Sequence, residues 1–110
     1  MRIISKSSLR AFWERPKHGT AREPLTRWCD IVESSGWKDT AGVKASFGVN
    51  VDFVQVESGN TVAVFDAGGN KYRIVAAIHF QPIHFAKGRV YVLSVLDHRE
   101  YDRMKWVEAL

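Results

Sequence analysis

The stretch "VDFVQVESGNTVAVFDAGGNKYRIVAAIHF", residues 51–80, decides the fold. Val51 to Ser58 alternates β-branched and aromatic residues with polar ones. The "GN" at 59–60 marks a hairpin before "TVAVF", and "AGGN" at 67–70 marks a second turn before "KYRIVAAIHF". Pro82 and Gly88 then frame a loop ahead of "RVYVLSVL", residues 89–96. Connections this short place neighbouring strands antiparallel, so residues 51–96 read as a four-strand meander.

Upstream, the period changes to that of a helix. After a short strand at "RIIS", Leu9, Phe12 and Trp13 share one helical face until Pro16 and Gly19 break it. A second helix starts near Arg22, tolerates Pro24 in its first turn, and buries Leu25, Trp28, Cys29 and Val32 along one stripe before "SSG" ends it. "DTAGVKASFG" reads as a short third helix with Val43 and Phe47 inward and Gly48 at its exit. "HREYDRMKWVEAL" closes the chain as a helix. The expected class is α+β: an N-terminal strand and two or three helices on one face of a mainly antiparallel, four- to five-stranded sheet, with a C-terminal helix.

With 110 residues and 45% hydrophobic side chains, the chain suits one domain spanning 1–110. No apolar stretch approaches the roughly 18 to 20 residues of a membrane span, and the polar start "MRIISKSSLR" argues against a secretory signal, so a cytoplasmic location is expected. Cys29 stands alone, without the paired spacing of a disulfide or a zinc site, and is read as a small buried hydrophobe. The net charge of +4 resides in the first half, where residues 1–50 hold nine basic and five acidic groups. Lys6, Arg10, Arg15, Lys17, Arg22 and Arg27 face only Glu14 and Glu23; that run is either a solvated helical surface or one turned toward a nucleic acid.

Strand alternation sorts the next candidates. Tyr72, Ile74, Ala76, Ile78 and Phe80 form a core face; Lys71, Arg73, Val75, Ala77 and His79 form the other, which reads as a groove floor or an ordinary wet face. The following strand divides into Arg89, Tyr91, Leu93, Val95 and Asp97 against Val90, Val92, Ser94, Leu96 and His98. Asp97 and Glu100 have capping-box spacing, which explains both structurally. His98, Tyr101 and Asp102, at i, i+3 and i+4, have no such explanation and share a helical face where an acid or base, a phenol and a carboxylate can meet. Trp28 and Trp37 fit either core or interface, and Trp106, one turn past the charged cluster, fits core better than RNA stacking.

"WKDTAGVKASFG", "GGNKYRIVAAIHF" and "RVYVLSVLDHREYDRMKW", in this order and spacing, resemble the HigB-type toxins of type II toxin-antitoxin modules, within the RelE superfamily. The most specific parts are Gly69 to Arg73 and His98 to Asp102. The resemblance implies a RelE-like fold and cleavage of messenger RNA on the translating ribosome, with ribosomal RNA contacts. It also implies an HigA-type helix-turn-helix antitoxin as partner, with DNA bound only through that complex, and no membrane association. The implied chemistry uses neither metal nor cofactor: a ribose 2'-hydroxyl attacks the adjacent phosphorus and a 2',3'-cyclic phosphate results. Lys71 and Arg73 would bind phosphate and stabilise the transition state, His98 would act as acid or base, and Tyr101 would position a base or share proton transfer. Asp102 would orient His98 or pair locally; Arg89, His79 and Lys105 would bind RNA. Two positions depart from the family. Leu93 stands where an arginine is usual, with Arg89, two positions back on the same strand face, as the substitute cation, and Asp97 precedes the histidine, where it would raise a nearby imidazole's affinity for its proton. The missing arginine motivates an alternative, a catalytically impaired relative that still binds RNA or the ribosome and an antitoxin.

Overall fold

The computed structural model describes residues 1–69, 71–80 and 88–103. In chain order they form β1 (Arg2–Ile4), α1 (Lys6–Trp13), α2 (Arg22–Glu33), α3 (Thr40–Phe47), β2 (Val51–Gln55), β3 (Thr61–Ala67), β4 (Tyr72–His79), β5 (Arg89–Asp97) and α4 (His98–Asp102), with single 3-10 turns before α2 and β2. The sheet order is β1-β5-β4-β3-β2. β1 runs parallel to β5 and every other pairing is antiparallel. The α+β reading and the meander are both realised. Residues 104–110, with Lys105 and Trp106, and the loop that begins at Pro82, lie outside the described residues.

The helices pack on one sheet face because their apolar stripes match its alternation. Leu9 and Phe12 of α1, Leu25, Trp28, Cys29 and Val32 of α2, and Val43 of α3 join Phe65, Tyr72, Ile74, Val90 and Val92 in the main core. Trp28 and Trp37 are both buried in it, which assigns them to the interior. Among the described residues, no helix is long and apolar enough to cross a membrane.

Burial holds the Cys29 thiol up, from 9.0 to about 11, with Lys6 pulling it down and Glu33 and Asp30 reinforcing the rise. It therefore remains a protonated thiol at ordinary pH. A thiol alkylator at pH 8 is expected to label the urea-unfolded chain readily and the native chain very slowly; equal rates would contradict this placement.

Two features of the sheet differ from the straight alternation. First, β5 carries a bulge. Val75 pairs with Ser94 and Ala76 with Val92, so Leu93 has no partner across the strand. One extra residue exchanges the two faces. Val90 and Val92 point to the core before it, while Val95 and Asp97 lie opposite Ile74 and Tyr72 after it. Arg89 and Tyr91 thus share the outer face with Ser94 and Leu96, not with Val95 and Asp97. Second, the face away from the helices is not a wet groove floor over its centre. Val56, Val62, Val64 and Val75 form a second apolar cluster, with Val54, Leu96 and Tyr101 packed against it. Val75 is 0% and Arg73 only 9% exposed. Val62 and Val64 of β3 and Val75 of β4, all on this outer face, make the second cluster favourable, each buried valine stabilising by about 1.5–3 kcal/mol.

Candidate functional site

The site is assembled where β4 begins and β5 ends. Asp97 caps α4: its side chain accepts from the Glu100 backbone N–H at 2.8 Å, while the Asp97 backbone N–H donates to Glu100 Oε1 at 3.3 Å, a complete capping box. The His98 backbone N–H donates to the Lys71 carbonyl at 3.0 Å, fixing the helix start to the turn before β4. These bonds set where the following side chains point. His98 Nε2 lies 3.4 Å from Asp102 Oδ2, with side chains 61% and 58% exposed. Tyr101 instead turns onto the valine cluster.

A cleft of about 450 Å3 opens here, lined by Lys17, His18, Gly69, Lys71, Tyr72, Asp97, His98 and Arg99. Its size falls within the roughly 300–1,000 Å3 of small-ligand pockets. A larger depression of about 580 Å3 runs along α2, but Arg22 and Arg27 are balanced there by Glu23 and Asp30, and Arg27 pairs with Glu23 at 2.9 Å. The cleft beside α4 holds the stronger excess of cations.

The site residues read from the sequence are divided between two places. Lys71 and His98 line the cleft. Arg73 and Tyr101 lie on the outer face: Arg73 Nε is 2.8 Å from Asp66 Oδ1, its Nη1 donates to the Tyr72 carbonyl at 3.2 Å, and its guanidinium sits 5.2 Å from the Tyr101 ring. Burial raises the Asp66 carboxyl above its usual range; Arg73 opposes that rise and Asp52 adds to it. Burial likewise raises the Tyr101 phenol, outweighing Arg73, with Asp52, Asp66 and Asp102 adding to the rise. Tyr101 is therefore a neutral phenol near neutrality, suited to donating a hydrogen bond or proton and unsuited to acting as a base.

His79 and Arg89 pair with one another at the far end of β4 and β5, while Arg73 pairs with Leu96. Six residues along β4 separate Arg73 from His79, roughly 20 Å at strand rise. Arg89 therefore does not replace the cation absent at Leu93. Leu93 itself is 40% exposed and lines a separate depression with Val62, Ala77, Ile78 and His79.

His18 is the functional candidate that sequence reasoning missed. Its Nε2 lies 3.2 Å from Asp97 Oδ2 across 79 residues of chain, and its ring packs 4.5 Å from that of Phe12. Arg15 reaches Glu100 at 3.5 Å, and Thr20 Oγ1 lies 2.6 Å from the Tyr72 hydroxyl. The segment between α1 and α2 is thus stitched onto the start of α4. In the sequence it reads only as a helix stop, and no local pattern announces a partner so distant. The Asp97 carboxylate, expected to act on His98, is engaged with His18 instead. Ligating atoms of His18, Asp97 and Glu100 come within 4.8 Å of one another, but the capping box and the Arg15 and His18 pairs already use them.

Burial raises the Asp97 carboxyl, but the Glu100 N–H, the His18 hydrogen bond and charge, and the Arg99 N–H together hold it below its usual value. Its unfolded value is about 3.9. A depressed carboxyl contributes stability that is fully present above that value and is lost as pH falls through the folded one. Asp97→Ala is expected to lower stability by about 1 kcal/mol at pH 7, the usual loss of an N-cap. Asp97→Asn, which can still cap, should lose less. In melts repeated down to about pH 3, near the lower end of this titration, the gap between parent and Asp97→Asn should narrow; a constant gap would remove His18–Asp97 as its source.

A small α+β domain with a five-stranded, mainly antiparallel sheet and a basic cleft beside its final helix is consistent with the RelE-like fold. The family described as HigB_toxin, RelE-like toxic component of a toxin-antitoxin system, matches residues 21–104, and the chain belongs to it. A search of the curated proteins found no match. As the toxic component of a toxin-antitoxin system, the protein has an antitoxin as its partner.

Proposed function

We propose that this protein is a ribosome-dependent endoribonuclease that cleaves translated messenger RNA in the cytoplasm without a metal ion. The observation that carries this reading is the placement of an exposed imidazole, His98, in a cation-lined cleft with Lys71. In the proposed step the ribose 2'-oxygen bonds to the adjacent phosphorus and the 5'-oxygen leaves. One proton is taken from the 2'-hydroxyl and one is supplied to the leaving oxygen, giving a 2',3'-cyclic phosphate and a 5'-hydroxyl. His98 serves as acid or base, the role an imidazole fills near neutrality. Lys71 holds a phosphate oxygen and offsets the added negative charge. Tyr101, as a neutral phenol, donates to the RNA, and Arg73 adds positive charge from the outer face. Arg89 and His79 are assigned to more distant RNA or ribosome contacts, and Lys105 to RNA binding. The antitoxin is proposed to be of the HigA helix-turn-helix type and to be the route by which the complex meets DNA.

One set of observations favours a second reading, an impaired relative that binds RNA or the ribosome without efficient cleavage. Leu93 supplies no cation, Arg89 is remote, and Arg73 commits Nε and Nη1 to Asp66 and the Tyr72 carbonyl. Induced expression followed by mapping of message ends in a translating extract separates the two. New 5'-hydroxyl ends within translated messages support the nuclease. Arrested growth with intact messages leaves only the second reading, and no arrest together with no adjacent helix-turn-helix reading frame removes both.

A further inference from the structure

The basic run from Lys6 to Arg27 resolves, in the structure, into residues with different partners. Lys6 pairs with Glu33, Arg10 with Glu14, Arg15 with Glu100 and Arg27 with Glu23. Lys17 and Arg22 have no ion pair among the described residues, and Lys17 alone of these two lines the cleft, beside Lys71 and Arg99, which also have none. Three unneutralised cations thus converge on one concave surface, an arrangement that attracts polyanions.

The backbone at Lys17 is a second, independent observation. The His18 N–H donates to the Arg15 carbonyl at 3.1 Å, closing a turn with Pro16 and Lys17 at its centre. Lys17 has φ of +72°, as the third residue of a type II turn requires, and glycine or asparagine is the usual occupant there. A lysine in that conformation is strained, and strain of this kind gathers at ligand-binding sites. The turn is anchored on both sides, by Arg15 to Glu100 and by His18 to Asp97.

We infer that Lys17, with Lys71 and Arg99, forms a phosphate-binding subsite for single-stranded RNA, and that the strained turn is retained to present the Lys17 ammonium to the cleft. This inference rests on the nuclease reading for its choice of RNA. Lys17 is an RNA-binding residue contributed by the α1–α2 connection, a part of the chain outside the motifs at 69–73 and 98–102.

The test measures binding of a short, uncleavable 2'-O-methyl single-stranded RNA over a range of salt, alongside melting temperature and message cleavage in a translating extract. Lys17→Gly and Lys17→Asn both suit the turn and remove the charge. Each is expected to melt no lower than the parent, to bind roughly tenfold more weakly, and to reduce the salt slope by about 0.7. Lys17→Arg should restore affinity and slope. Unchanged affinity and slope in both neutral variants, or failure of Lys17→Arg to restore them, overturns the inference, as does equal Lys17-dependent binding of duplex DNA. If the parent cleaves messages while Lys17 proves irrelevant to binding, the nuclease reading stands and the subsite falls. If the parent leaves messages intact, the nuclease reading falls while the Lys17 dependence of RNA binding still decides the subsite.

Discussion

Replacing His98 by glutamine is expected to reduce message cleavage by about 100- to 10,000-fold, the range supplied by a positioned general acid or base, while leaving the melting temperature nearly unchanged. The two halves follow from the same geometry. The His98 side chain is 61% exposed and its pairing with Asp102, itself 58% exposed, is a surface contact at 3.4 Å. Such pairs contribute about 0.2–1 kcal/mol and often less. What holds the start of α4 is the Asp97–Glu100 capping box and the bond from the His98 backbone N–H to the Lys71 carbonyl, neither of which uses the imidazole. Glutamine preserves hydrogen bonding but cannot exchange a proton near neutrality. Asp102→Asn separates orientation from local pairing: if Asp102 merely pairs, its loss costs under tenfold, and a loss as large as that of His98→Gln would make it an orienting residue. A His98→Gln protein that cleaves like its parent would remove His98 from the mechanism.

The readable and unreadable parts of this protein divide by the range of the interactions involved. The helical stripe Leu25, Trp28, Cys29 and Val32, the hairpin turn at Gly59 and Asn60, and the Asp97–Glu100 capping box depend on spacings of a few residues. All are found as read. The bulge at Leu93 was not legible, because nothing in "RVYVLSVL" interrupts the alternation; the shift is set by pairing with β4. It reverses the face of every later residue, and so the grouping of Arg89 with Val95 and Asp97 failed. The cleft was half legible. Lys71 and His98 come from motifs that lie in adjacent elements, whereas Lys17 and His18 arrive from a loop 79 residues away from Asp97 that carries no pattern of its own.

Arg73→Ala is expected to be the more damaging substitution for the fold, and its effect on activity must be read through that damage. Arg73 Nε is 2.8 Å from Asp66 Oδ1, with side chains 11% and 23% exposed, on the outer sheet face that also carries the second apolar cluster. Deleting one partner of a largely buried pair leaves the other charge uncompensated, which costs about 3 kcal/mol or more. For a domain of this size that is a fall in melting temperature of roughly 12 °C or more. The pH dependence has a definite sign. Burial already raises the Asp66 carboxyl, and Arg73 is the group that opposes it. Without Arg73 the folded value rises further, so the folded state holds its proton more tightly than the unfolded state. Stability is then greatest below the unfolded value of about 3.9 and falls as pH rises through the raised folded value. The gap between parent and Arg73→Ala should therefore be narrow in acid and wide near neutrality. Arg73→Ala combined with Asp66→Asn should recover much of the lost melting temperature, because the stranded charge is gone. That double variant separates the two roles: activity recovered with the fold makes Arg73 a structural cation, and activity still lost in a protein that melts normally makes its positive charge part of catalysis.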